Sequence, residues 1–91
     1  MSAPMALSAR RIRKSVHSPE QQLLRELLVA ARDGAGLTQH KLAKRLGKPQ
    51  SFVAKYEGGE RRLDVIEFIV IASAIGADPT RILRTLIRKM G

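Results

Sequence analysis

The sequence predicts an all-α protein built from five helices, and three observations support this prediction. Apolar residues recur at helical spacing through most of the chain, and no segment alternates apolar and polar residues as a strand does. Capping residues precede the apolar segments and glycines follow them. The chain of 91 residues is also long enough to bury one small core. We therefore expect one domain at residues 18–91, preceded by a flexible basic arm at residues 1–17.

Helix 1 is predicted to begin at Ser18–Pro19 and to run to about Arg32. The Ser18 side chain can accept a hydrogen bond from a free amide, proline has the backbone angle of a first helical turn, and Gln21 completes a capping box. Glycines at positions 34 and 36 end the helix. Its apolar stripe consists of Leu23, Leu24, Leu27, Leu28 and Ala31.

Helices 2 and 3 are predicted to be short and to be joined by a tight turn at Gly47. Thr38 caps helix 2, and helix 3 runs from about Gln50 to Glu57. Glycine suits the turn because it adopts a positive φ at almost no cost. The apolar residues expected at the crossing of the two helices are Leu42, Leu46, Val53 and Tyr56. This pattern is that of a helix-turn-helix.

Helix 4 is predicted to open with a capping box formed by Asp64 and Glu67 and to close at Gly76. Asp78–Pro79 then starts helix 5, which runs to about Met90. For helix 4 we expect a largely buried set of apolar residues, namely Ile66, Ile69, Val70, Ala74 and Ile75.

Helix 5 carries an apolar stripe along its whole length. The stripe consists of Ile82, Leu83, Leu86, Ile87 and Met90. Its first half can pack on helices 1 and 4, but we expect no later segment to cover the second half. Because an uncovered apolar stripe is unusual in a monomer, the sequence predicts a two-fold homodimer joined through helix 5. Completion of the monomer's own core, with pairing only on DNA, is the alternative.

The net charge of +9 is informative through its distribution. Residues 34–56 contain five cations and no carboxylate, and residues 1–18 contain four cations and no carboxylate. The excess positive charge therefore lies on the helix-turn-helix and the arm, which favours contact with phosphates. A basic solubilising surface or a membrane-surface patch explains the total charge but not its concentration on this motif.

The sequence offers no pattern typical of a catalytic, metal or cofactor site. There is no cysteine, and His17 and His40 lie far apart without an acidic cluster beside either. No paired carboxylates or nucleotide-binding glycine loop are visible. The apolar runs are too short to span a membrane, and none follows the N-terminal basic residues as in a secretory signal. We therefore expect a soluble, cytoplasmic, nucleoid-associated protein that is not an enzyme and has no membrane partner.

An ordered set of residues runs from position 32 to position 76, within a resemblance to a known family that spans about residues 20–85. It consists of Arg32, Gly36–Gln39, Leu42–Ala43, Leu46–Gly47, Gln50–Ser51, Val53, Tyr56–Glu57, Gly59 and the apolar pattern at 71–76. In this set the chain resembles the lambda-repressor-like (Cro-type) family of helix-turn-helix DNA-binding domains. The resemblance implies a compact five-helix domain and a regulator, chiefly a repressor, that binds double-stranded DNA as a dimer. It also implies that Arg32 and Glu57 form a partly buried ion pair.

The resemblance and the charge pattern together predict a set of DNA-contacting residues: Gln39, Lys48, Gln50, Ser51, Phe52, Lys55, Arg61 and Arg62. By resemblance, Gln39 touches a phosphate and supports helix 3, and Gln50 grips adenine through N6 and N7. Periodicity exposes Phe52, which either meets a thymine methyl group or packs on helix 2 or a neighbouring loop. Arg61 and Arg62 either contact phosphates or are solvated.

Two positions depart from the family pattern. Lys48 replaces an apolar residue, so its alkyl stem is expected to cover the core while its ammonium reaches water. Pro49 replaces the usual serine or threonine cap of helix 3, which leaves the start of that helix uncertain by one residue.

Three functions stay open at this point. The first is a sequence-specific regulator, and the second is an antitoxin that binds both its operator and a toxin protein. The third is an enzyme or an RNA-binding module on the same fold. An enzyme is disfavoured because no catalytic arrangement of residues is visible. An RNA-binding module needs exposed aromatic residues, and the only aromatic residues are Phe52, Tyr56 and Phe68. Residues 1–17 could dock a toxin or reach a DNA minor groove.

Overall fold

The computed structural model describes Ile12 and residues 17–91. In this part of the chain the elements are α1 (Pro19–Gly34), α2 (Gln39–Leu46), α3 (Gln50–Glu57), α4 (Val65–Ile75) and α5 (Pro79–Met90). These residues form no strand, and the predicted all-α fold is confirmed. The predicted arm lies outside the described residues apart from Ile12 and His17, so its proposed contacts with a toxin or a minor groove stay predictions.

The helices begin where the capping residues predict. The Thr38 hydroxyl accepts a hydrogen bond from the amide three residues later at 3.1 Å. Asp64 and Glu67 form the predicted capping box, in which each side chain accepts from the other residue's amide at 2.7 and 3.0 Å. Pro49 gives α3 no side-chain cap, yet the helix still starts at Gln50. Proline presets the backbone angle that the missing cap would otherwise help to fix.

The turn between α2 and α3 brings these two helices into close contact. Gly47 has a φ of 66°, the left-handed conformation that the sequence predicts. The amide of Lys48 then donates to the carbonyl of Ala43 at 3.0 Å, which ties the turn to the end of α2. Ala43 is buried, and its small side chain lets α3 pass close by. At the end of α1, Gly34 extends the helix slightly beyond its predicted end.

The core lies where α1, α4 and the α2–α3 pair meet. Its buried residues are Leu28, Leu42, Ala43, Val53, Tyr56, Phe68, Ile71 and Ile75. Tyr56 is fully buried, and its hydroxyl has no hydrogen-bond partner among the described residues. Burial accordingly raises the pKa of this hydroxyl above its usual value. The residues at the predicted crossing of α2 and α3 thus form one side of the core.

One prediction for α4 is wrong, because most of its expected core residues are exposed. Ile66 is 68 % exposed, Val70 50 % and Ile69 41 %. The buried face instead consists of Phe68, Ile71, Ala72 and Ile75, while Ala74 is half-buried. Nearly every residue of α4 is apolar, so its sequence does not mark which face points inward.

The apolar stripe of α5 is divided between packing within the chain and exposed surface. Ile82, Leu86 and Met90 are half-buried, and Ile82 packs against the core. Leu83 and Ile87 are exposed, at 39 % and 37 %. The exposed residues come from both halves of the stripe, so the predicted division into a packed first half and an uncovered second half is wrong. Part of the stripe still stays exposed within the described residues.

Candidate nucleic-acid interface

The outer face of α3 is polar and exposed. Gln50, Ser51 and Lys55 lie in contact with solvent, whereas Val53 and Tyr56 are fully buried on the opposite face. The two sets separate because successive residues of a helix turn by about 100°. The helix thus presents amide, hydroxyl and ammonium groups together, the chemistry that reads base edges in a major groove.

Gln50 is held by a chain of side-chain hydrogen bonds that begins in the interior. Arg32 donates twice to Glu57, from Nε to Oε2 at 2.7 Å and from Nη2 to Oε1 at 3.0 Å. Gln39 donates to the same Oε1 at 2.8 Å. Gln50 in turn donates through Nε2 to Oε1 of Gln39 at 3.1 Å. The first residue of α3 is therefore oriented through contacts that reach back to α1.

The predicted ion pair between Arg32 and Glu57 is confirmed. It fixes the inner end of the series of hydrogen bonds that leads to Gln50. Arg32 also donates to the carbonyl of Leu37 at 2.8 Å and pairs with Asp33 at 3.2 Å. The hydrogen bond to Glu57 raises the pKa of Arg32 further, so the guanidinium stays charged. Glu57 points inward toward this cation, away from the exposed polar face of α3.

Phe52 does not lie on the outer face, so the exposure that periodicity predicts for it is wrong, whereas its contact with a thymine methyl group stays a prediction. The side chain is half-buried and packs against the core, with its ring edge-to-face to Tyr56 at 5.7 Å between centroids. Lys48 Nζ and Arg61 Cζ lie 5.6 and 4.8 Å from the ring centroid. The position lies on the flank of α3 that faces α4, where apolar neighbours favour burial.

The basic residues beside α3 differ in how firmly they are held. Arg61 makes two hydrogen bonds to Glu67, from Nη1 to Oε1 at 3.0 Å and from Nη2 to Oε2 at 2.7 Å. It also donates to the carbonyl of Arg62 at 3.1 Å. Lys48 and Arg62 are exposed. Lys48 and Arg61 both lie over the Phe52 ring on α3, and Arg61 is fixed there by its bonds to Glu67.

The Arg61–Glu67 pair is expected to make the stability of the fold depend on pH. Hydrogen bonds from Arg61, and secondarily from the Asp64 amide, lower the pKa of Glu67 from 4.5 to about 2. Because the folded state binds this proton more weakly, the stabilisation is complete above about pH 4.5 and is lost as pH falls toward 2. We expect Glu67→Gln to flatten the decline of unfolding free energy across this window, measured by urea denaturation. The exposed Glu60→Gln is the control, and equal slopes for all three proteins would contradict the assignment.

Several contacts in this region were not predicted from the sequence, among them the Arg61–Glu67 pair. Arg45 Nη1 donates to the carbonyl of Ala74 at 2.8 Å and so joins α2 to the last turn of α4. A cation near a helix C-terminus is a general signal for such a bond, but it does not identify which helix receives it. The resemblance implies that Gln39 supports helix 3, but it did not identify Gln50 as the residue that Gln39 contacts.

The helix-turn-helix (HTH_3) family model matches residues 28–82, which contain all of α2, α3 and α4. The chain belongs to the lambda-repressor-like helix-turn-helix family. A solved member, "XRE-family like protein from Pseudomonas syringae pv. tomato str. DC3000", is 51 % identical over 81 % of this chain and 90 % of that chain, with a TM-score of 0.77. No curated protein matches the sequence.

As a member of this helix-turn-helix family, the protein is a DNA-binding transcription regulator. Within the described part of the chain, no group of three or more histidine, aspartate or glutamate side chains is placed to hold a metal ion. Nor does any helix there have the length and apolarity needed to cross a membrane.

Proposed function

We propose that this helix-turn-helix protein is a transcriptional repressor that binds operator half-sites as a two-fold dimer, with α3 in the major groove. The hydrogen-bond chain that ends at Gln50 carries the proposal. One N–H of the Gln50 amide is used by Gln39. The second N–H of the Gln50 amide can donate to adenine N7, and the Gln50 carbonyl oxygen can accept from adenine N6. This is the bidentate contact by which glutamine selects adenine.

The other proposed DNA contacts divide into two groups. Ser51 and Lys55 share the exposed face with Gln50, so we assign them to base edges or to the phosphates that flank them. The proposed phosphate contacts are Gln39, Lys48, Arg61 and Arg62. We leave Phe52 out of both groups because its ring packs against the core and α4.

Dimerisation is proposed through the uncovered part of α5. The exposed side chains of Leu83 and Ile87 lie at i and i+4, so they form one apolar strip on the helix surface. A strip of this kind pairs readily with its own copy about a two-fold axis. Two helix-turn-helix units then reach successive major grooves about 34 Å apart.

Repression is the simplest output of such a dimer. When a bound site overlaps a promoter, occupancy excludes polymerase without any further contact. Deletion of the gene is therefore expected to raise transcription from promoters that contain the protein's binding site. A fall in transcription would instead make the protein an activator.

Replacement of Gln50 by alanine tests the proposed base contact. We expect affinity for a site selected from random DNA to fall by about 1–3 kcal/mol, because the bidentate contact is lost. Affinity for unrelated DNA is expected to change little, since phosphate contacts remain. Fluorescence anisotropy at one fixed salt concentration measures both. Gln22→Ala, an exposed glutamine on α1, is the matched control. Equal losses on both DNAs would show that Gln50 reads no base.

A further inference from the structure

A groove lies between α4 and the α2–α3 pair, next to the proposed DNA-binding face. Its apolar walls are formed by Leu46, Phe52, Ile66 and Val70. The cavity at its centre has a volume of about 140 Å³. An apolar cavity of about 150 Å³ accommodates a benzene molecule, so this groove has room for one large apolar side chain.

The outer wall of the groove is an apolar helix face in contact with water. Ile66 and Val70 are both at least half exposed, although they lie on a helix in which nearly every residue is apolar. Helices of that kind are usually buried. A contiguous exposed apolar face next to a cavity is typical of a docking surface for another molecule.

The edge of the groove is positively charged. Lys48 lines it and makes no ion pair among the described residues. The one carboxylate in the lining, Glu67, is already neutralised by Arg61. The α2–α3 wall belongs to residues 34–56, which carry five cations and no carboxylate.

Charge decides between the possible occupants. The chain's own residues 1–17 carry four cations and no carboxylate, so they would bring like charge to this edge. A second copy that met the groove face to face would present the same positive edge. An acidic segment of a different protein has the complementary charge.

We propose that this groove docks an acidic segment of another protein, which places one large apolar side chain in the cavity and a carboxylate against Lys48. Docking and DNA binding then compete, because Lys48 and Arg61 border both surfaces. The docking is independent of the proposed repressor function, whereas the competition rests on it. Since coupling is reciprocal, DNA weakens docking by the same factor as docking weakens DNA binding.

Three synthetic peptides test the docking on the full chain. The first has a central phenylalanine flanked by glutamates, the second has alanine at the centre, and the third has lysines in place of the glutamates. Methyl NMR is expected to show saturable shifts at Ile66 and Val70 with the first peptide. Binding of the other two is expected to be weaker by about tenfold or more, since each lacks the apolar anchor or the charge.

Neighbouring residues of α4 provide a matched pair of variants. Ile66 and Val65 are 68 % and 69 % exposed, but only Ile66 lines the groove. Ile66→Ser is expected to lower the affinity for the acidic peptide about tenfold. Val65→Ser is expected to leave this affinity unchanged. The acidic peptide should also raise the apparent Kd for the selected DNA site, except in Ile66→Ser.

Several outcomes would overturn the proposal. The absence of a saturable shift at Ile66 and Val70 would contradict the docking of an acidic segment. Equal binding of the lysine peptide would contradict it as well. Dissociation of a dimer by Ile66→Ser assigns the groove to a second copy, and contacts from residues 1–17 to Ile66 assign it to the chain itself. Peptide binding without any effect on DNA binding disproves the competition alone. The Gln50→Ala result bears only on the repressor function.

Discussion

Replacing Glu57 with alanine is expected to lower the free energy of unfolding by about 3–5 kcal/mol. The side chains of Arg32 and Glu57 are only 11 % and 6 % exposed, and removal of the carboxylate leaves a buried cation without its main partner. Arg32 would keep its bond to the Leu37 carbonyl and its contact with Asp33, which do not replace two charged hydrogen bonds. Gln39 would lose its acceptor as well.

Urea denaturation measures this effect, with Glu60→Ala as the control because that glutamate is exposed. The control is expected to change stability by no more than about 0.5 kcal/mol. The double variant Arg32→Met, Glu57→Leu should recover much of the loss, because apolar side chains of similar size can replace a buried pair. A loss below about 1 kcal/mol for Glu57→Ala would mean that the pair is not a buried anchor.

Replacing Ile87 with aspartate is expected to have the largest effect on DNA binding. A charge in the apolar strip of α5 disfavours burial between two copies, and the dimer should dissociate. Affinity for a two-half-site operator is then expected to fall by about 10²–10⁴-fold, since the second half-site no longer binds at high effective concentration. Affinity for an isolated half-site is expected to stay unchanged.

Sedimentation equilibrium and anisotropy separate these effects. Ser73→Asp is the matched control, because it introduces the same charge at an exposed position of α4. It should leave both the oligomeric state and operator affinity close to those of the unmodified protein. A dimer that persists in Ile87→Asp would place the interface elsewhere, and equal losses on operator and half-site would point to damage within the domain.

Much of the fold could be predicted because its signals are local. A cap such as Thr38 and a turn glycine such as Gly47 act on backbone groups a few residues away, so their effect is legible in the sequence. The Arg32–Glu57 pair joins distant helices, and it was predicted by family resemblance instead. The structure confirms all three features.

The details that the sequence did not predict depend on how elements meet in space. Nearly all of α4 is apolar, so periodicity could not tell exposed Ile66 from buried Ile71. Phe52 lies at the border between the polar and buried faces of α3, and the approach of α4 decides its burial. Glu67 was recognised as a capping residue, but its bond to Arg61 depends on the path of the intervening loop.

Selection of binding sites from random double-stranded DNA tests the central claim, sequence-specific binding as a two-fold dimer through α3, most directly. The account predicts enrichment of an inverted repeat whose half-site centres lie about 10–10.5 base pairs apart, or a multiple of this spacing. In the same selection, Gln50→Ala should lose preference at an adenine within each half-site. No enriched sequence, or a single site without two-fold symmetry, would contradict the account.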